Sequence, residues 1–228
     1  MGFSTDDAPE KVRENRKRFF DVLGIIPERL VNCALVHGIH MEKVGKADCG
    51  RGAQDFTSAI PACDGLYTNE KNVPLGLNYA DCTPLLFYDP VTSSIAVAHG
   101  GWRGTAGNIA GEAVRYLQES YGAEPKNIKA GIGPAIGKSV FEVGKDVVEA
   151  FEKIFDEEEM KRLSAPKGEG KILIDLPLAN RILIERAGIL PENIEDCGIC
   201  TYCRNDLFYS YRKAAGRTGR HMAVMMLK

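Results

Sequence analysis

The segment "ADCTPLLFYDPVTSSIAVAHGGWRG", residues 80–104, constrains the fold more than any other stretch of this chain. "PLLFYD" (84–89) and "SSIAVAH" (93–99) are apolar, β-branched and aromatic runs joined at Asp89-Pro90, a turn signal. They predict a β-hairpin, and a hairpin of this kind brings its two open ends together. Those ends carry Cys82 and His99, 17 positions apart. The chain has only four histidines, and this one stands before two glycines and the only tryptophan.

A thiol and an imidazole at adjoining strand ends suit a metal. Catalytic zinc commonly takes three protein ligands and leaves a fourth position open. His37, at the end of the apolar run "VNCALVHG" (31–38), is the best third ligand. The competing reading is plain: a histidine at a strand end is often just a satisfied polar residue. Gly100 and Gly101 permit a close approach to the backbone after His99. Arg103 stands at the entrance of the next helix, where its guanidinium and free backbone N–H groups would hold an anion. If His37, Cys82 and His99 bind one ion, their ligand atoms should lie within about 4 Å of one another, given zinc–ligand distances of about 2.0–2.3 Å.

Elsewhere, helices are expected over 9–24, 105–122, 144–163 and 177–188, and strands over 31–38, 127–133, 171–176 and 221–227. Gly24 closes the first helix and Pro177 opens the last. The two element types alternate irregularly, with hairpin-like pairs and few βαβ units. An α+β domain with a mixed sheet therefore fits better than a doubly wound parallel one. No repeat or linker divides the chain, so residues 1–228 read as one domain.

Composition removes several function classes. A net charge of −2 and a pI near 6.1 give no general pull toward nucleic acid or an anionic membrane. No apolar run approaches the roughly 20 residues of a membrane span, and the charged start lacks the apolar core of a signal peptide. Seven irregularly spaced cysteines argue against a disulfide framework and for the reducing cytoplasm. "CGICTYC" places Cys197, Cys200 and Cys203 in a C-x2-C-x2-C run, but no fourth cysteine lies nearby to complete a structural site. His40 and His221 read as ordinary surface or strand residues, and "GIGPAIG" (131–137) as a pocket wall.

"VHGIH", "ADCTPLL", "AHGGWRGT", "GIGPAIGKSVFEVG" and "CTYCRNDLFYSYRKAAGRTGR" resemble, in order, the signature blocks of the laccase-domain family. Its members have also been called multicopper polyphenol oxidases and purine nucleoside phosphorylases. The resemblance implies a mixed-sheet α+β sandwich flanked by helices, similar to the catalytic domain of deamidating bacterial toxins. It also implies a His–Cys–His metal site, carried here by His37, Cys82 and His99. Two positions depart from the family pattern. "MGFST" runs straight into "DDAPEKV", without the glycine-rich segment whose arginine would be expected near the pocket, and Ala135 stands where many relatives have cysteine.

The activity so implied is phosphorolysis of adenosine, inosine and methylthioadenosine, with adenosine deamination beside it. The partners would be small molecules, a nucleoside and phosphate. Zinc, or copper in its place, would sit on the triad, and zinc lowers the pKa of a bound water to about 7. Arg103 would hold phosphate. Asp81, beside Cys82, would orient a ligand histidine or accept a proton, or else only cap the strand end. Two alternatives stand beside this one. A Cys–His hydrolase or amidase, for instance one editing a peptidoglycan precursor, would use Cys82 as nucleophile and His99 or His37 as base. A copper polyphenol oxidase would need several coppers and many more histidines than four.

Overall fold

The computed structural model describes residues 1–168 and 170–228. The hairpin forms as expected: β5 (Thr83–Asp89) and β6 (Ser94–Gly100) pair antiparallel, with Pro84 opposite His99. Its turn is closed by the buried Asp89 carboxylate, which accepts from Val91 N at 2.9 Å and Thr92 Oγ1 at 2.8 Å. Around it builds a six-stranded sheet in the order β11-β7-β5-β6-β3-β2. Its other strands are β2 (Met41–Lys43), β3 (Gly65–Thr68), β7 (Lys129–Ile132) and β11 (Ile194–Asp196). The β2/β3 and β7/β11 pairs are parallel and the rest antiparallel, so the sheet is mixed.

A second sheet, of three strands, joins β1 (Val31–Asn32), β4 (Leu75–Tyr79) and β12 (His221–Met225) in the order β1-β4-β12. Side-chain alternation along β6 shows how the layers stack. Ile95 and Val97 point to one face and pack with Val31, Leu75, Leu77 and Tyr79 of the small sheet. Ala96 and Ala98 point to the other face and meet the helices α3 (Ile109–Tyr121) and α6 (Leu176–Arg186) through Ala113, Leu117, Ala179 and Leu183. α1 (Pro9–Leu23) covers the outer face of the small sheet, where Phe20 meets Leu30, Met222 and Val224. The result is a sandwich of two sheets flanked by helices. A third small sheet pairs β8 (Glu142–Val143), β10 (Lys171–Ile174) and β9 (Ser164–Gly168), all antiparallel.

Several elements differ from expectation. The run 31–38 is ladder only to Asn32, with one further bridge at Cys33, because the N–H groups of residues 36–38 turn to the Asp64 carboxylate. The helix expected over 105–122 starts earlier and is split into α2 (Trp102–Ala106) and α3. Asn108 adopts a left-handed φ of 65° there, and its side chain accepts from Gly111 N to cap α3. The helix expected over 144–163 is likewise two, α4 (Lys145–Glu152) and α5 (Glu157–Leu163). Asp156 and Glu159 exchange side-chain and backbone bonds at the break, a capping box that restarts the helix.

The two alanines of β6 let α3 approach the sheet closely. Ala96→Leu forces extra side-chain volume into that contact and should cost about 1–3 kcal/mol, the usual range for overpacking. Urea unfolding should show this as a lower midpoint with an unchanged slope.

Candidate metal centre at the open end of the hairpin

Because Pro84 lies opposite His99, and Thr83 opposite Gly100, the chain on either side continues with Cys82 facing Gly101. A Cβ placed on Gly101 would stand 3.2 Å from Cys82 Sγ, 3.3 Å from His37 Cδ2 and 3.5 Å from His99 Cε1. The missing side chain therefore lets all three residues close in on the backbone at this one point. The ligand atoms of His37, Cys82 and His99 lie within 4.8 Å of one another. That is looser than the separations of roughly 3.3–3.8 Å that zinc–ligand distances imply for a tetrahedral site. The two imidazole rings meet edge to face at 4.9 Å. Burial rises across the cluster: His37 is exposed, Cys82 half-buried and His99 buried.

α2 supplies the floor. Gly101, Gly104 and Gly107 recur at intervals of three, on one side of this short helix. Gly104 backs onto Gly38 O, which a Cβ would approach to 3.0 Å, and Gly107 backs onto Ile39 Cγ2, at 2.6 Å. The bare face lets the loop carrying His37 settle against α2.

The residue that sequence reading missed is Asp64, one position before β3. Its backbone continues the β3/β6 ladder, since His99 N donates to Asp64 O at 2.8 Å. Asp64 and His99 thus sit side by side on the inter-sheet face, and His99 Nδ1 lies 3.3 Å from Asp64 Oδ1. The same carboxylate accepts from His37 N at 2.8 Å, Gly38 N at 2.7 Å and Val36 N at 3.2 Å. Burial raises the pKa of this carboxyl, but the bond and charge of His99 and the N–H donors outweigh it and hold it below the usual carboxylate value. In the sequence Asp64 precedes Gly65 and reads only as a turn.

Charge couples the cluster. Burial pushes the Cys82 thiol up, yet the His99 charge and hydrogen bonds from His37 and His99 more than reverse this, to about 6. Burial pushes His99 down, and the Cys82 thiolate with the Asp64 bond overcomes it, to about 9. Without metal the pair is a thiolate beside an imidazolium between those two values. The donor set, two imidazoles and one thiol, fits a single borderline-soft ion such as zinc or copper.

Asp81 lies elsewhere in the hydrogen-bond network. Its carboxylate accepts from Thr201 Oγ1 and Arg212 N, each at 2.6 Å, and its carbonyl from Ile136 N at 2.9 Å. It orients no histidine; Asp64 does. With a φ of 85°, Asp81 bends the chain just before Cys82 and ties that bend to the 134–137 loop and the C-terminal region.

Arg103 is exposed, and its guanidinium lies over the Trp102 ring at 4.2 Å. The backbone N–H groups expected to be free just after Arg103 are bonded. Because α2 begins at Trp102, Thr105 N bonds Gly101 O at 2.8 Å and Gly107 N bonds Arg103 O at 2.9 Å. Cys200 accepts from Gly137 N at 3.2 Å and so anchors the glycine-rich loop, while Cys197 and Cys203 are exposed. His40 pairs with exposed Glu42, and His221 lies between Tyr79 and Phe208.

All of residues 1–228 match the family described as multi-copper polyphenol oxidoreductase laccase. The chain belongs to that family. It is 40% identical to purine nucleoside phosphorylase YlmD of Geobacillus stearothermophilus over 227 residues, 99% of this chain and 82% of the relative. It is 33% identical to adenosine deaminase RL5, from an unknown prokaryotic organism, over 198 residues, 87% of this chain and 75% of the relative. The crystal structure of YlmD from Geobacillus stearothermophilus superposes with a TM-score of 0.95 at 39% identity, covering 100% of this chain and 84% of that one. The hypothetical protein YfiH of Bacillus licheniformis gives 0.96 at 37% identity, covering 100% and 85%. No helix among the described residues is long and apolar enough to cross a membrane.

Two outcomes test this centre. Gly101→Ala should leave the fold intact but weaken zinc retention by at least about tenfold, or ~1.4 kcal/mol, as measured by competition with a chromogenic chelator. In chelator-treated protein, alkylation of Cys82 by iodoacetamide should rise through a midpoint near pH 6. In His99→Ala the midpoint should move up toward the 9.0 of an ordinary cysteine, because the stabilising charge is gone and burial remains.

Proposed function

We propose that this chain is a metal-dependent purine nucleoside enzyme of the cytoplasm, acting as one domain over residues 1–228. It takes adenosine, inosine and methylthioadenosine with phosphate, and deaminates adenosine as a second activity. The observation that carries this reading is the cluster of two imidazoles and one thiol gathered against Gly101. The names of the relatives, purine nucleoside phosphorylase and adenosine deaminase, supply the substrate class. His37, Cys82 and His99 are the ligands, of zinc or, in its place, copper. When bound, such a metal supplies Lewis acidity at its open position.

Phosphorolysis breaks the bond between the sugar C1′ and the base nitrogen and joins C1′ to a phosphate oxygen. Deamination replaces the C6 amine with oxygen from water. Arg103, exposed and held over the Trp102 ring, has guanidinium N–H groups to offer a phosphate or a sugar hydroxyl. Asp81 contributes by holding the bend before Cys82 rather than by touching substrate.

The laccase chemistry in the family's description finds little support in these ligands. Among the described residues, one group of three or more metal-binding side chains exists, and the other two histidines lie apart from it. A different second reading rests on a specific contact. Asp64, His99 and Cys82 also stand in the order of orienting carboxylate, base and nucleophile, the arrangement of a Cys–His hydrolase or amidase.

Metal-defined protein incubated with adenosine, with and without phosphate, separates these readings by product mass. The purine reading expects free adenine and ribose 1-phosphate only with phosphate, inosine in both cases, and loss of both activities on chelation. Activity on amides that rises on chelation, with no nucleoside product, would establish the hydrolase instead. Cys82→Ala should abolish metal retention and turnover, whereas Cys200→Ala should leave both nearly intact. Arg103→Lys should raise the KM for phosphate at constant metal content, because an ammonium lacks the planar fork.

A further inference from the structure

The two imidazoles of the cluster come from unrelated parts of the chain, one from a loop and one from the end of a central strand. A single carboxylate reaches both. Asp64 Oδ1 accepts from the His37 backbone N–H at 2.8 Å and faces His99 Nδ1 at 3.3 Å. Asp64 Oδ2 accepts from Gly38 N at 2.7 Å and Val36 N at 3.2 Å. The side chain itself is fully buried, so its oxygens have no competing water.

We infer that Asp64 is the positioning residue of the site, setting the tautomer of His99 and the seat of His37 at once. This rests on the metal-site reading of the triad. The chemistry is as follows. An acceptor opposite Nδ1 requires the proton to reside on Nδ1, and that leaves the Nε2 lone pair as the one His99 offers to an ion. Carboxylate partners of metal-binding histidines act in this way and raise ligand basicity. The second half of the device is backbone. His37 sits at φ 61°, a left-handed conformation that is strained for a residue with a Cβ. Three convergent N–H bonds to one buried carboxylate hold it there. Residues 36–38 give up any strand ladder in exchange, and the loop is pressed onto the bare face of α2 by the same contacts.

Asp64 therefore does more than fill a buried position, and the two roles can be told apart. In the intact wild-type protein loaded with zinc, ¹⁵N-resolved histidine spectra should show His99 protonated at Nδ1 and bound through Nε2. This measurement needs no variant and no substrate, so it stands whether or not the protein turns over nucleosides. A spectrum with His99 protonated at Nε2 would overturn the inference. Asp64→Asn keeps the size of the side chain and one oxygen acceptor. It should weaken zinc binding by about 10- to 100-fold, the range for loss of such a partner, measured by chelator competition on protein whose circular dichroism matches the wild type. A folded Asp64→Asn protein with wild-type zinc affinity would also overturn the inference. If Asp64→Asn does not fold, the wild-type spectrum decides alone.

Discussion

The buried carboxylate of Asp64 is the interaction on which the rest of the site depends. Removing a carboxylate from water is costly unless each oxygen finds donors, and here three N–H groups and an imidazole supply them. The contact is possible because Asp64 lies next to His99 across the β3/β6 ladder, on the face between the two sheets. It links the rigid centre of the large sheet to a loop that has no strand of its own. Candidate ligands from three segments are thereby gathered within 4.8 Å of one another without any of them lying close in sequence to the other two.

The second constraint is steric, and it works by subtraction. Glycines in helices cost about 0.5–1 kcal/mol each relative to alanine, and α2 carries Gly104 within five residues, with Gly101 and Gly107 at its ends. That helix is short and ends at Ala106, and the left-handed cap of Asn108 starts α3 afresh. The cost is offset by two close approaches: of the His37, Cys82 and His99 side chains to Gly101, and of the His37 loop to Gly104 and Gly107. Thr105 makes up part of the lost helix stability through its buried hydrogen bonds to Asn180 on α6.

The remaining polar groups near the site serve to hold its walls. Asp81 joins the bend before Cys82 to Thr201, Arg212 and Ile136, so the loop 134–137 and the segment after β11 are fixed relative to the thiol. Cys200 strengthens the same junction through Gly137. The C-x2-C-x2-C run has a half-buried Cys200 and exposed Cys197 and Cys203, and among the described residues it forms no group of three metal-binding side chains.

Much of the fold was legible in the residues alone. The hairpin 83–100, helix α1 with its glycine stop, and the mixed α+β class all follow from local pattern, because period-2 and period-3.6 apolar spacing is written in contiguous residues. The ligand candidates Cys82 and His99 were legible for the same reason, since the hairpin alone joins them. His37 was named by residue type and its place at the end of the apolar run 31–38, and then by family resemblance. The helix breaks at Asn108 and Asp156 were legible in principle, as both are capping residues, but uninterrupted apolar spacing hid them. Asp64 was not legible at all, for its meaning depends on which residue pairs across β6 and which loop turns back above it. That is a matter of register and packing between segments 27 and 35 positions away, and only the tertiary structure decides it.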